Sequence, residues 1–305
     1  MKRFWLEGCA LVLALAFVPA TFWWQKQSAK HFVQTHATVT TKPLDIFEWR
    51  GVGALNVKNY NQTLTTLANE NYRTVFVSFD THAEAQNPQA YETRVDNFGA
   101  VLAAHHMQVG LVAGDPSWTG KAQQPAIANV LTFVQTYNKQ SGHRIASVEF
   151  DIEPYTAGTP AKQTAEGLAD AAKYVSAAEH LGANVKIGFT APFWLTQNTG
   201  GAKDFAQAVS ALPGGFVTLM DYRLQTSGAN GSVALAQPFF TLANAAHVEL
   251  LVGLDTTKAA AGTTFFGTNN FTLRLAQYTI DQAEKGQASY AGQSVNDVQN
   301  FTRLH

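Results

Sequence analysis

The sequence predicts an α/β chain whose eight parallel strands close into a (β/α)8 barrel behind an N-terminal hydrophobic segment. Three observations carry this reading. From Pro43 onward, short β-rich runs alternate with longer segments of helical period. Eight such units can be counted, the number that closes a parallel barrel. The chain of 305 residues, 46% hydrophobic and 14% charged, supplies the core that one such domain needs.

The strand candidates are Leu44 to Trp49, Thr74 to Asp80, Gln108 to Ala113, Ile145 to Glu153, Val185 to Ala191, Phe216 to Tyr222, Val248 to Leu254 and Ala288 to Ser294. Apolar content and β-branching support them. Between the fourth and fifth, Leu168, Ala171, Ala172, Val175, Ala178 and Leu181 fall on one helical stripe, which Gly182 ends. The last unit is short, with Val295, Val298, Phe301 and Leu304 recurring every three residues. A doubly wound open sheet would bring a glycine-rich phosphate turn after the first strand, and Arg50-Gly51-Val52-Gly53 lacks the third glycine.

Ahead of the barrel, Lys2 and Arg3 precede an apolar run from Cys9 to Phe17, and Val18-Pro19-Ala20 offers small residues suited to cleavage. Phe22, Trp23 and Trp24, followed by Lys26 and Lys30, equally suit a membrane interface. Residues 1–27 are therefore read as a signal peptide or membrane anchor, 28–42 as a polar, aperiodic linker, and 43–305 as the barrel. The expected location is extracellular, either secreted or held to the membrane by the N-terminal segment. The single cysteine, Cys9, lies in that segment, so the barrel can form neither a disulfide nor a thiolate metal site. A formal net charge of -1 without a Lys/Arg block argues against nucleic acid or another polyanion held by charge alone. A monomer acting on a neutral partner, without cofactor or metal, is the expectation.

The chemistry concentrates in Ser147-Val148-Glu149-Phe150-Asp151-Ile152-Glu153-Pro154-Tyr155. Side chains alternate along a strand, so Glu149, Asp151 and Glu153 point the same way. Crowded, desolvated carboxylates repel one another, which raises the pKa of at least one and suits a general acid. A solvated edge strand with an acidic face is the bland alternative. In barrels of this kind reactive groups gather at the C-terminal strand ends. Those positions carry Glu48 and Trp49, Asp80 and His82, Asp115 and Trp118, Asp151 and Glu153, Phe193 and Trp194, Asp221, Tyr222 and Arg223, Asp255, and Asn296. Acids with tryptophans at one rim suit a sugar cleft, in which carboxylates bond hydroxyls and indoles stack on pyranose faces.

Asp151-Ile152-Glu153 on the fourth strand, with Met220 and Tyr222 on the sixth, is similar to the motifs of the family 18 glycoside hydrolases, the chitinase-like TIM barrels. That family's patterns are Asp-x-x-Asp-x-Asp-x-Glu and Met-x-Tyr-Asp. The resemblance implies that Glu153 is the general acid/base, that Asp151 orients the substrate's N-acetyl group and shares a proton with Glu153, and that Tyr222 hydrogen-bonds that group. Ala146, Glu149 and Arg223 depart from the pattern, and Gln293-Ser294-Val295-Asn296 stands where the family has a tryptophan floor.

The sequence-level reading is thus a glycosidase of an exopolysaccharide, cell-wall or cell-surface glycan, retaining if the substrate's N-acetyl group assists. Glu153, Asp151 and Tyr222 are its expected catalytic residues. Glu149, Glu48, Trp49, Asp80, Asp115, Trp118, Trp194, Met220, Asp221, Arg223 and Asp255 are its expected substrate contacts. On a sugar lacking the N-acetyl group, Asp221 or Asp255 would be the nucleophile. The alternative is a non-catalytic carbohydrate-binding TIM barrel, against which the presence of Glu153 argues. A metal hydrolase or aldolase would need a histidine pair or a strand-end lysine, whereas His82, His105, His106, His143, His180 and His247 are scattered.

Overall fold

The computed structural model describes residues 26–182 and 184–304. All eight expected strands form: β1 Leu44–Glu48, β2 Tyr72–Ser78, β3 Gln108–Ala113, β4 Ile145–Phe150, β5 Lys186–Pro192, β6 Phe216–Met220, β7 Glu249–Asp255 and β8 Tyr290–Asn296. Each pairs in parallel with the next, and β8 returns to β1, closing the barrel. Residues 26–35 form helix α1. The others are α2 Tyr60–Asn69, α3 Thr81–Gln86, α4 Pro88–Ala104, α5 Gln124–Gln140, α6 Ala161–Ala178, α7 Thr199–Ser210, α8 Ser232–Ala246, α9 Asn270–Glu284 and α10 Val298–Phe301.

The apolar run of each strand is split by the pleat between two cores. Outward-facing Leu44, Ile46, Val75, Val77, Leu111, Val148 and Phe150 join the helices in one large cluster. Phe47, Phe76, Val112, Phe216 and Leu251 form a second, smaller cluster inside the barrel. The rings inside fit because neighbouring strands have no side chain opposite them. A Cβ on Gly188 would lie 2.3 Å from the Phe216 ring, and one on Gly110 would lie 2.5 Å from that of Phe76. These rings plug the lower axis and separate the polar side chains toward the C-terminal ends from a second polar group beneath, which includes Asp45, Lys186 and Glu249.

The stripe between β4 and β5 does form α6, but the helix stops at Ala178, with Gly182 just beyond in the left-handed region at φ 76°. Within the expected linker 28–42, α1 occupies residues 28–35 and docks on α9. Val33 is fully buried, the Phe32 ring lies 5.1 Å from that of Tyr278, and Arg274 donates to the carbonyls of His36 and Ala37. Thr41 then donates from backbone and hydroxyl to Asp281, both at 2.9 Å. Partners some 240 positions away in sequence supply this order, which local polarity could not reveal. The signal or anchor reading of residues 1–27 falls almost entirely outside the described residues. Among those described, no helix is long and apolar enough to cross a membrane.

Candidate active site

Ladder pairing of β4 ends at Phe150, three residues short of the expectation, yet the chain stays in line. The Asp151 amide donates to the Ala113 carbonyl at 3.0 Å, and β3 can approach that closely because the next residue is Gly114, where a Cβ would sit 1.8 Å from the Asp151 carbonyl oxygen. Pro154 then has no amide to extend the ladder and opens a 3-10 turn, Pro154–Ala157, which Gly158 ends at φ 88°. The turn folds Tyr155 back over the strand end, where its hydroxyl donates to Glu153 Oε1. The same hydroxyl lies 3.9 Å from the Met220 sulfur, and the ring meets Trp194 edge-on at 5.2 Å.

The three acids of the strand occupy different depths. Glu149 is fully buried, and neither of its oxygens has a hydrogen-bond partner among the described residues. Burial above all, and then the charges of Asp151 and Asp45, push its pKa well above the carboxylate range, opposed only by the nearby Thr218 hydroxyl. It is sealed below the mouth, which corrects its expected role as a substrate contact. Asp151 is half-buried and accepts a 2.6 Å hydrogen bond from Thr190 Oγ1. Burial first, then the charge of Glu153, raises its pKa to about 6. Glu153 is half-buried at the top.

Tyr222 faces this group from the end of β6. Burial pushes its phenol well above the ordinary range, and the charges of Asp151, Asp255, Glu153 and Glu149 push the same way. Carboxylates on and just beyond β4 and on β7 thus lie near enough to act electrostatically on one ring. Room for it comes from β7, where a Cβ on Gly253 would meet Tyr222 Cε1 at 3.2 Å. Beyond Tyr222 the mouth is floored by a chain of polar contacts. Asp255 accepts from the Thr257 amide at 3.0 Å and from Asn296 Nδ2 at 3.2 Å, and Asn296 Oδ1 accepts from Trp49 Nε1 at 2.6 Å. Burial raises the pKa of Asp255. Trp49 stacks on Phe47 at 5.4 Å and leaves 40% of its surface exposed.

Asp151, Glu153, Tyr222, Met220, Trp194, Asp255 and Trp49 therefore meet or adjoin at the C-terminal mouth. Several other expected contacts also hold the scaffold in place. Glu48 precedes Trp49 on an alternating strand, so the two cannot both face the mouth. It is 1% exposed and gripped by Arg50 through Nε at 2.8 Å and Nη2 at 2.5 Å. Trp118 is buried in the helix-facing core. Asp80 caps α3 through the Ala83 amide at 2.9 Å, and Asp115 caps the turn Pro116–Thr119 through the Ser117 amide at 2.9 Å. The Ser117 hydroxyl in turn holds the Asp115 pKa down.

Asp221 is fully buried with both oxygens unpartnered among the described residues. Burial raises its pKa to about 7, and the charge acting on it is that of Arg223 rather than the mouth carboxylates. It is set apart from its neighbour Tyr222. The Arg223 guanidinium lies over the Phe193 ring at 4.6 Å and donates to the Tyr222 carbonyl at 2.7 Å, so it braces the loop.

Sequence reasoning missed the parts played by Tyr155 and Thr190. A proline directly after Glu153 signalled a turn that would return the next side chain to the strand end. Nothing local marked Thr190, whose partner lies 39 positions away.

No protein-family model and no curated protein matches this sequence. Solved structures do resemble the fold. The catalytic domain of β-amylase from Paenibacillus polymyxa matches with a TM-score of 0.54 at 10% identity, over 85% of this chain and 92% of that one. A cellulase of glycoside hydrolase family 5 from a Bacteroidetes-affiliated source, linked with a polysaccharide utilization locus, matches with 0.53 at 12% identity, over 87% and 83%. A family 5 glycoside hydrolase from Prevotella bryantii matches with 0.53 at 10% identity, over 88% and 92%. These likenesses define the chain as a (β/α)8 barrel. The two family 5 enzymes belong to a family other than the one that the strand-four motif resembles.

Proposed function

We propose that the protein is a glycoside hydrolase acting on a neutral cell-surface, exopolysaccharide or cell-wall glycan, with Glu153 as general acid/base. The observation that carries this reading is the meeting of Asp151, Glu153, Tyr155 and Tyr222 at the C-terminal mouth, where barrels of this kind hold reactive groups. That the barrel's structural relatives include named glycosidases agrees with it.

On a sugar bearing a 2-N-acetyl group, the acetamido carbonyl oxygen attacks the anomeric carbon while the glycosidic bond breaks. Glu153 gives its proton to the leaving oxygen through Oε2, since Oε1 is engaged by Tyr155. Asp151, steadied by Thr190, orients the acetamido N–H, and Tyr222 hydrogen-bonds its carbonyl. Water then opens the cyclised intermediate as Glu153 takes a proton back, and configuration is retained. This is the family 18 form of the reading. On a sugar without that group, Asp255 is the remaining nucleophile, because Asp221 is set apart from the mouth. Residues 1–27, read as an export segment, place the enzyme outside the cell, free or anchored.

The test is release of reducing ends from a panel of N-acetylated and plain polysaccharides by the native protein and by Glu153→Gln. Turnover that the variant lacks supports the proposal. Equal activity of the two proteins removes Glu153 from the chemistry, and tight glycan binding without turnover makes the barrel a binding module.

A further inference from the structure

On that reading, the rim beyond β1 and β2 holds a feature the chemistry above does not use. A cavity of about 500 Å³ opens there, with Trp49, Phe79, Asp80, Tyr91 and Arg94 in its lining. We propose that it is a distal subsite for a neutral oligo- or polysaccharide chain, so that the protein grips several consecutive sugar rings rather than a terminal one alone.

Four observations support this. The exposed indole of Trp49 is held flat on Phe47 and tethered through Nε1 to Asn296, so a platform for a pyranose face is already rigid before any ligand arrives. Asn296, which tethers Trp49, also donates to Asp255 at the mouth, so a hydrogen-bond chain joins this platform to the candidate active site. β1 stands across the closed barrel from β4 and β5, so a ligand touching both Glu153 and Trp49 must span the mouth. Finally, the charges at the cavity balance: Glu48 neutralises Arg50, and the lining carries both Asp80 and Arg94. Aromatic faces with balanced donors and acceptors suit a polyhydroxylated, uncharged ligand better than an anion.

Glu153→Gln protein, which binds without turning over, is titrated with cello-, manno-, xylo- and N-acetylglucosamine oligomers of two to six units. At least one series should bind more tightly with length, and Trp49→Ala should cancel that gain, weakening the hexamer roughly five- to ten-fold while leaving the dimer unchanged. Trp49→Phe should restore most of it. Gly53→Phe gives an independent check, because a Cβ there meets nothing within 4 Å and its ring would fill the cavity without disturbing the core. Thermal melts of each variant show whether it is folded. Length-independent binding, a length gain that survives both Trp49→Ala and Gly53→Phe, or no binding in any series overturns the subsite. Turnover by the native protein is read separately: turnover without a length gain removes the subsite and leaves the hydrolase, and a length gain without turnover does the reverse.

Discussion

Tyr155 reaches back over two residues to donate a hydrogen bond to Glu153 Oε1, and the Pro154 turn between them makes this geometry possible. The bond occupies one carboxyl oxygen and leaves the other free toward the mouth. It also fixes the rotamer of a side chain that would otherwise swing at the rim.

Tyr155→Phe keeps the ring against Trp194 and removes only the donor. A hydrogen bond to a group that becomes charged as its proton leaves contributes about 1.5–3 kcal/mol. The expected outcome is a fall in kcat of roughly ten-fold or more with KM little changed, because the bond orients the reacting group rather than the substrate. Steady-state kinetics on the best polysaccharide of the panel check it, and a loss confined to KM would show that Tyr155 binds sugar instead.

Glu153→Gln should leave the melting temperature close to native while lowering kcat by about 10²–10⁴-fold, since the amide fits but cannot transfer the proton. Circular dichroism melts and turnover on the same preparation separate the two effects.

Asp151 carries a pKa of about 6, raised mainly by burial and then by Glu153. In the proposed mechanism it shares a proton with Glu153, and that proton leaves as pH rises. kcat/KM should therefore decline on the alkaline side from near that value, and Asp151→Asn should abolish this limb along with most of the activity. A pH profile flat from 5 to 8 would count against the shared proton.

Glu149 invites the opposite result. Burial above all favours its protonated form, and Glu149→Gln keeps the shape and zero charge of that form. The limb should stay where it is. Its folded-state pKa lies above the ordinary value, so the native protein binds more protons than the unfolded chain and loses stability as pH rises. The variant should gain thermal stability over native at pH 8 and much less at pH 4.

Asp221 supplies a second such test, away from the mouth. With a pKa of about 7 in the fold, its burial costs nothing below the usual carboxylate range; the cost grows through the interval up to 7 and is complete above it. Asp221→Asn should be a few kcal/mol more stable than native at pH 8 and near native at pH 4, as read by denaturant unfolding at both pH values. A stability difference independent of pH would mean that Asp221 is ionised throughout.

The β/α alternation after Pro43, the eight strands and the placing of Asp151 and Glu153 on one face were legible because both rest on local periods, two for a strand and 3.6 for a helix. The proximity of Tyr222 to that pair was legible only through the resemblance of two short motifs. Tertiary structure decided depth and pairing. It sank Glu149 beneath the mouth while leaving Glu153 at the rim, turned Glu48 onto Arg50 while Trp49 faced the cleft, set Asp221 apart from Tyr222, joined Thr190 to Asp151, and folded α1 from a stretch that reads as linker. The physical reason is the same in each case. A strand's period states which residues share a face, but whether that face is buried, and by what, depends on strands and helices brought alongside from dozens to hundreds of residues away.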